Sequence, residues 1–196
     1  MERIMKGQRG FTLVELAMVL VIIGLILGAV MKGQALIQQA KVKKTIAQVD
    51  GIRAAVLTFY DRYGQYPGDE ALGGAGNTIP ANDDNAGNGD GQINGNEYLW
   101  LFRDLQLAEI ISGNYDRTPN TLPRHPFGDI IVLYWTDPPP AAATPNHWFR
   151  LDNLPWDVAL EIDTKLDDAV YDTGSVVATA AYAPASGNIA SLYIRF

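Results

Sequence analysis

The 196-residue sequence has no cysteine. That excludes a disulfide framework, thiol catalysis and any anchor attached through cysteine, while leaving every compartment open. Histidine is nearly absent too: only His125, beside Pro126, and His147, beside Trp148. Neither is accompanied by a Gly-x-Ser-x-Gly turn, a phosphate loop or zinc-ligand spacing, and the many aspartates fall in turn-like stretches, so no enzyme is expected. Basic residues become scarce along the chain. From Tyr63 onward six Lys and Arg face eighteen Asp and Glu. Such a surface does not neutralise phosphates, so no nucleic-acid partner is expected, whereas cations suit it. Proline is missing before Pro67, which leaves the first third of the chain free to form one long helix.

What is present begins with a basic leader, MERIMKGQRG, followed by FTLVELAMVLVIIGLILGAV. From Phe11 to Val30 the only ionisable residue is Glu15. Twenty apolar residues in a helix cover about 30 Å, the hydrocarbon thickness of a bilayer. Arg3, Lys6 and Arg9 ahead of the span predict a cytoplasmic N-terminus and an external head. A carboxylate in such a span costs roughly 2.5–3.5 kcal/mol and marks a function with a neutralising partner. Arg9 reaching back is one such partner. The α-amine released by cutting between Gly10 and Phe11 is another.

Gly10-Phe11-Thr12-Leu13-Val14-Glu15, after a short basic leader and before an apolar helix, resembles the prepilin signature of type IV pilins and type II secretion pseudopilins. The resemblance implies that Gly10 is the cleavage-site residue, Phe11 the methylated mature N-terminus and Glu15 the assembly residue. The implied partners are prepilin peptidase, inner-membrane assembly machinery, further copies of the chain and other pilins or pseudopilins. Two carboxylate-bearing helices cannot stack in an apolar filament core unless each charge finds a cation, so Glu15 would pair with a neighbour's Phe11 ammonium and set the register. The chain is expected in the bacterial inner membrane, single-pass with a periplasmic head, and then in a pilus or pseudopilus. The disulfide loop of many adhesive major pilins is impossible here. The alternative is a membrane-anchored periplasmic calcium- or glycan-binding module that does not polymerise.

The organisation expected is a leader over 1–10, a transmembrane and assembly helix over 11–33, and a head over 34–196 that includes the helix's second half. Val42, Ile46, Val49, Ile52, Val56, Phe59, Tyr60 and Tyr63 recur at three-and-four spacing, so that half has one face to bury. Lys41, Lys43 and Lys44 read as a solvated face. Tyr66-Pro67-Gly68-Asp69 ends the helix, and residues 68–97 hold eight glycines and no basic residue. A helix over Glu97–Glu109, with Trp100, Leu101, Leu105 and Ala108 on one side, comes next. Strands over Ile130–Thr136 and His147–Leu154, a helical turn over Trp156–Thr164, and strands over Val176–Ala183 and Ile189–Phe196 complete the chain. The fold class is α+β: a long helix packed on a small antiparallel sheet, the pilin-like α/β roll of the resemblance.

Within the glycine-rich stretch, Ala86-Gly-Asn88-Gly-Asp90-Gly91-Gln92-Ile93-Asn94-Gly95-Asn96-Glu97 follows the calcium-loop pattern. Asn88, Asp90, the Gln92 carbonyl and Glu97 are the candidate ligands, and Ile93 packs inward. Ala86 cannot ligate at the first position, so Asp84 (or Asp83) is expected to supply that carboxylate. The alternative is a metal-free turn. A second acidic cluster, Asp163, Asp167, Asp168 and Asp172, reads as a solvated turn more readily than as a metal site. Of the aromatics, Trp135, Trp148 and Trp156 read as sheet core more readily than as a partner face.

Replacing the signature glycine tests the leader. Gly10→Val is expected to leave the precursor uncut, so that mass spectrometry finds its N-terminal peptide intact where the parent chain yields a methylated peptide starting at Phe11.

Overall fold

In the computed structural model, the described residues are 11–71, 87–139 and 145–196. They divide into two compact units, Met1–Ala40 and Lys41–Phe196. Helix α1, Leu13–Tyr63, contributes residues to both.

In the first unit every residue from Phe11 to Lys32 is exposed. Leucine, isoleucine and valine make up most of that stretch, and their apolar surface is left uncovered among the described residues. This part of α1 is long and apolar enough to cross a membrane. The helix starts with a capping box. The Glu15 N–H donates to Thr12 Oγ1 at 3.2 Å, and the Glu15 carboxylate accepts both the Thr12 N–H and hydroxyl at 2.8 Å.

The second unit contains the core. Along α1, Val42, Thr45, Val49, Val56 and Phe59 are fully shielded, on the three-and-four spacing that puts them on one side of the helix. α1 ends at Gly64, whose N–H reaches the Tyr60 carbonyl at 2.7 Å with φ +73°, ahead of the Pro67 turn. Helix α2 is Glu97–Leu107. Its buried side is Leu101, Phe102, Leu105 and, just past its end, Ala108, with Trp100 only half-buried.

The sheet consists of β1 (Ile131–Thr136), β2 (Asn146–Pro155), β3 (Val176–Ala178) and β4 (Asn188–Arg195), with α3 (Trp156–Leu166) between β2 and β3. All pairings are antiparallel, in the order β1-β2-β4-β3. Because side chains alternate, the register sorts the residues into faces. Leu133, Phe149, Ile194 and Val176 form one row on the core face, and Ile131, Leu151, Leu192 and Ala178 form another. The opposite face carries Tyr134, Trp148 and Arg195, then Val132, Arg150, Tyr193 and Val177. α1 is tied to this sheet by Arg53, whose Nη2 donates to the Arg195 carbonyl at 3.0 Å and whose guanidinium lies 5.5 Å from the Phe149 ring centre.

Two expectations shift. β3 stops at Ala178 rather than Ala183, because the chain bends and then forms a short 3-10 turn, Pro184–Ser186. Trp148 is fully buried, but on the outer face of the sheet, in a small cluster with Val177 and Tyr193.

Candidate functional site

Of the residues implied in processing and assembly, Gly10 lies outside the described residues. Phe11 is exposed, and Glu15 sits in the first turn of α1 within the capping box. Thr12 is therefore the hydrogen-bond partner of Glu15, which the sequence reading passed over, although Thr-x-x-Glu at a helix start is itself the signal.

The loop 87–97 is folded around carboxylates. Asn88 Oδ1 accepts the Asp90 N–H at 2.9 Å, and Asp90 Oδ1 accepts the Gln92 N–H at 2.9 Å, two successive Asx turns. Asp90 Oδ2 takes the side-chain amides of Asn88 at 3.0 Å and Asn94 at 3.2 Å. Glu97 closes the loop. Its Oε1 accepts the Asn88 N–H at 3.2 Å and its Oε2 the Asn94 N–H at 2.8 Å. Of the candidate ligands, Asn88, Asp90 and Glu97 are thus brought together and Gln92 lies between them, while Asp84 falls outside the described residues.

A carboxylate that the sequence reading did not select enters from another segment. Asp69, in the turn after α1, is almost fully buried, and its two oxygens accept the N–H groups of Asp90 at 3.1 Å and Gly91 at 2.8 Å. Its turn is fixed against α2: the Gly68 N–H donates to the buried Asp104 at 2.6 Å. Gly68 has φ +89°, and a Cβ there would run into the Glu97 carbonyl oxygen, so only glycine fits. No local sequence signal marks Asp69, because its contacts are 21 and 22 residues away.

Burial raises the pKa values of Asp69 and Glu97, and the Asp90 charge pushes both the same way, while the amide donors oppose it. Asp69, Asp90 and Glu97 are not among the described carboxylates that converge within 4.8 Å of one another, although carboxylates and an Asn oxygen are the ligand types of a hard cation such as calcium and not of zinc. Each of these oxygens accepts an N–H in this structure, so binding would exchange amide donors for the ion.

His147 anchors the loop from the sheet. Its Nε2 accepts the Ile93 N–H at 3.0 Å, and the Trp135 N–H donates to the Ile93 carbonyl at 2.5 Å. The ring is packed by Tyr66, Trp135 and Phe196 and is 4% exposed. Burial pulls its pKa down to about 4, with Asp90 acting weakly against the shift.

In the second acidic cluster Asp163 departs from the solvated turn expected, while Asp168 is exposed. The carboxylates of Asp163, Asp167 and Asp168 come within 4.8 Å of one another, and Asp172 is not among them. Asp163 is fully buried and accepts the Tyr182 hydroxyl at 2.8 Å and the Ala169 N–H at 3.2 Å. Asp167 receives the amides of Ser175 and Val176, and Asp168 those of Val170 and the Thr173 hydroxyl. These acids pin the α3–β3 connection to itself.

Residues 5–31 match the family model described as the prokaryotic N-terminal methylation motif. The chain therefore carries the N-terminal signature of type IV pilins and pseudopilins, a class of structural subunits. No curated protein and no solved structure matches the chain.

The buried imidazole makes stability depend on pH. A histidine with a folded pKa near 4 and an ordinary value of 6.5 binds its proton first in the unfolded chain. Its contribution to stability is therefore lost as pH falls from 6.5 toward 4. Asp69 and Glu97, with raised pKa values, act in the opposite direction. Melting curves of the full chain in detergent are expected to show this loss, and His147→Gln, which keeps an acceptor for Ile93, is expected to remove it.

Proposed function

We propose that this chain is a structural subunit of a type IV pilus-like filament or a type II secretion pseudopilus. Prepilin peptidase would cut it after Gly10, and its apolar helix would drive assembly with further copies and with other pilins or pseudopilins. The observation that carries this reading is Glu15, the only ionisable residue between Phe11 and Val30, placed immediately behind the methylation motif. In the precursor its carboxylate is occupied by Thr12. Cutting after Gly10 places an ammonium at Phe11, and in an apolar filament core a carboxylate needs such a cation.

The same reading includes a cation in the head. Asp69, Asn88, Asp90 and Glu97 would hold calcium, which supplies the positive charge that residues 68–97 lack. Calcium would tie the turn after α1 to the start of α2.

Glu15→Ala tests assembly. It is expected to leave the protein in the membrane fraction while its amount in the sheared extracellular or periplasmic filament fraction falls about tenfold or more. A parent chain that stays monomeric and unprocessed would support the non-polymerising anchored module instead. For the cation, millimolar calcium is expected to raise the melting temperature of the full chain by about 5 °C. Glu97→Gln and Asp69→Asn should each lose most of that increment, and an increment that is absent in the parent chain removes the site.

A further inference from the structure

β1 is an edge strand, and its outer face is not closed over. A pocket of about 300 Å³ lies there, lined by Gly95, Tyr98, Val132, Tyr134, Trp135 and Arg150. Val132 is its buried wall, whereas Tyr98, Tyr134 and Arg150 are half-buried; Trp135, on the same face of β1 as Ile131 and Leu133, borders it. Two tyrosine side chains, a valine and a guanidinium around one concavity of this size form the composition of a small-molecule site: apolar walls with a few fixed polar groups.

The walls are held in place. The Tyr98 and Tyr134 rings touch at 6.3 Å between centres, inclined at 52°. Trp135 packs edge-on against the buried His147 ring at 5.1 Å, and its backbone N–H is bound to Ile93. The Arg150 guanidinium stacks over Tyr134 at 5.3 Å, its Nε lies 2.8 Å from Asp152 Oδ1, and its Nη1 is 3.5 Å from the Tyr134 hydroxyl. Asp152 is in turn fixed by the Ser191 hydroxyl at 2.9 Å. A site already rigid loses little entropy on binding.

We propose that this pocket binds a neutral pyranose unit of a saccharide. The negative face of an aromatic ring attracts the polarised C–H bonds on one face of a sugar ring, and the tyrosines at the opening, Tyr98 above all, supply such a face. The Arg150 guanidinium donates and the tyrosine hydroxyls donate or accept, which suits sugar hydroxyls. Charge separates a neutral sugar from an anionic one. The head from Tyr63 onward carries eighteen acidic residues against six basic ones, a field that repels anions. The one cation of the pocket is already paired with Asp152. This site does not rest on polymerisation, and although Gly95 and Tyr98 adjoin the acidic loop it needs no cation there.

The full chain, in a detergent without a sugar headgroup, is titrated with cellobiose, maltose and lactose, and binding is read by saturation-transfer NMR. Transfer to the ring protons of at least one of the three is expected at about 10 mM. Tyr98→Ala and Arg150→Gln should each weaken it about tenfold or more while the melting temperature of the chain is kept. Tyr98 starts α2 and Arg150 lies on the sheet, so if one variant fails to fold the other decides. Lack of transfer from all three sugars, transfer that survives the folded variant or variants, or binding confined to glucuronate overturns the proposal, the last in favour of a carboxylate site.

Discussion

A stretch rich in glycine and without regular structure leaves its backbone N–H groups unsatisfied unless something accepts them, and each one buried without a partner costs about 1–3 kcal/mol. In this protein carboxylates are the acceptors. Asp69 takes the amides of Asp90 and Gly91, Glu97 those of Asn88 and Asn94, Asp104 that of Gly68, and Asp163, Asp167 and Asp168 those of the α3–β3 connection. The acidic surplus of the head is thus an architectural material. With few basic residues available, backbone dipoles carry the compensation that ion pairs carry elsewhere, and they do so without long flexible side chains.

The same rule reaches the first unit in another form. Glu15 would be a costly group in an apolar span, and Thr12 supplies the donors that occupy it. The capping box lies within the residues that match the methylation motif, so one short segment starts α1 and holds the charge that the proposed assembly uses. The exposed apolar residues of α1 up to Lys32 form a stretch long and apolar enough to cross a membrane, whereas the stripe from Val42 to Phe59 is buried in the core of the head.

The loop before α2 also depends on the sheet. Ile93 is held through both its backbone groups, by His147 on β2 and Trp135 on β1, and its side chain is fully buried. The imidazole must remain neutral to accept that N–H, which its enclosure by Tyr66, Trp135 and Phe196 favours. Loop position, histidine protonation and the edge of the aromatic pocket are therefore set by one packing arrangement around β1.

Whatever is local in space was legible in the sequence. The methylation signature, the apolar span, the spacing of buried residues in α1, the start of α2 at Glu97 and the strands β1, β2 and β4 all follow from contiguous patterns of charge and hydropathy, because helix and strand periods are properties of neighbouring residues. The Asn88–Glu97 loop is likewise a local motif. Tertiary structure decided the rest. Asp69 reaches the loop from the far side of 21 residues, His147 meets Ile93 across 54, and Asp163 is buried rather than solvated because Tyr182 folds over it. Phe102 rather than Trp100 is buried on α2, beside Leu101, Leu105 and Ala108. Tyr98, Trp135 and Arg150 share a pocket only because the register of β1 on β2 and the placement of α2 bring three separate segments to one strand edge. Such juxtapositions leave no trace in a single sequence, since nothing in the spacing of residues records which distant partner the chain will meet.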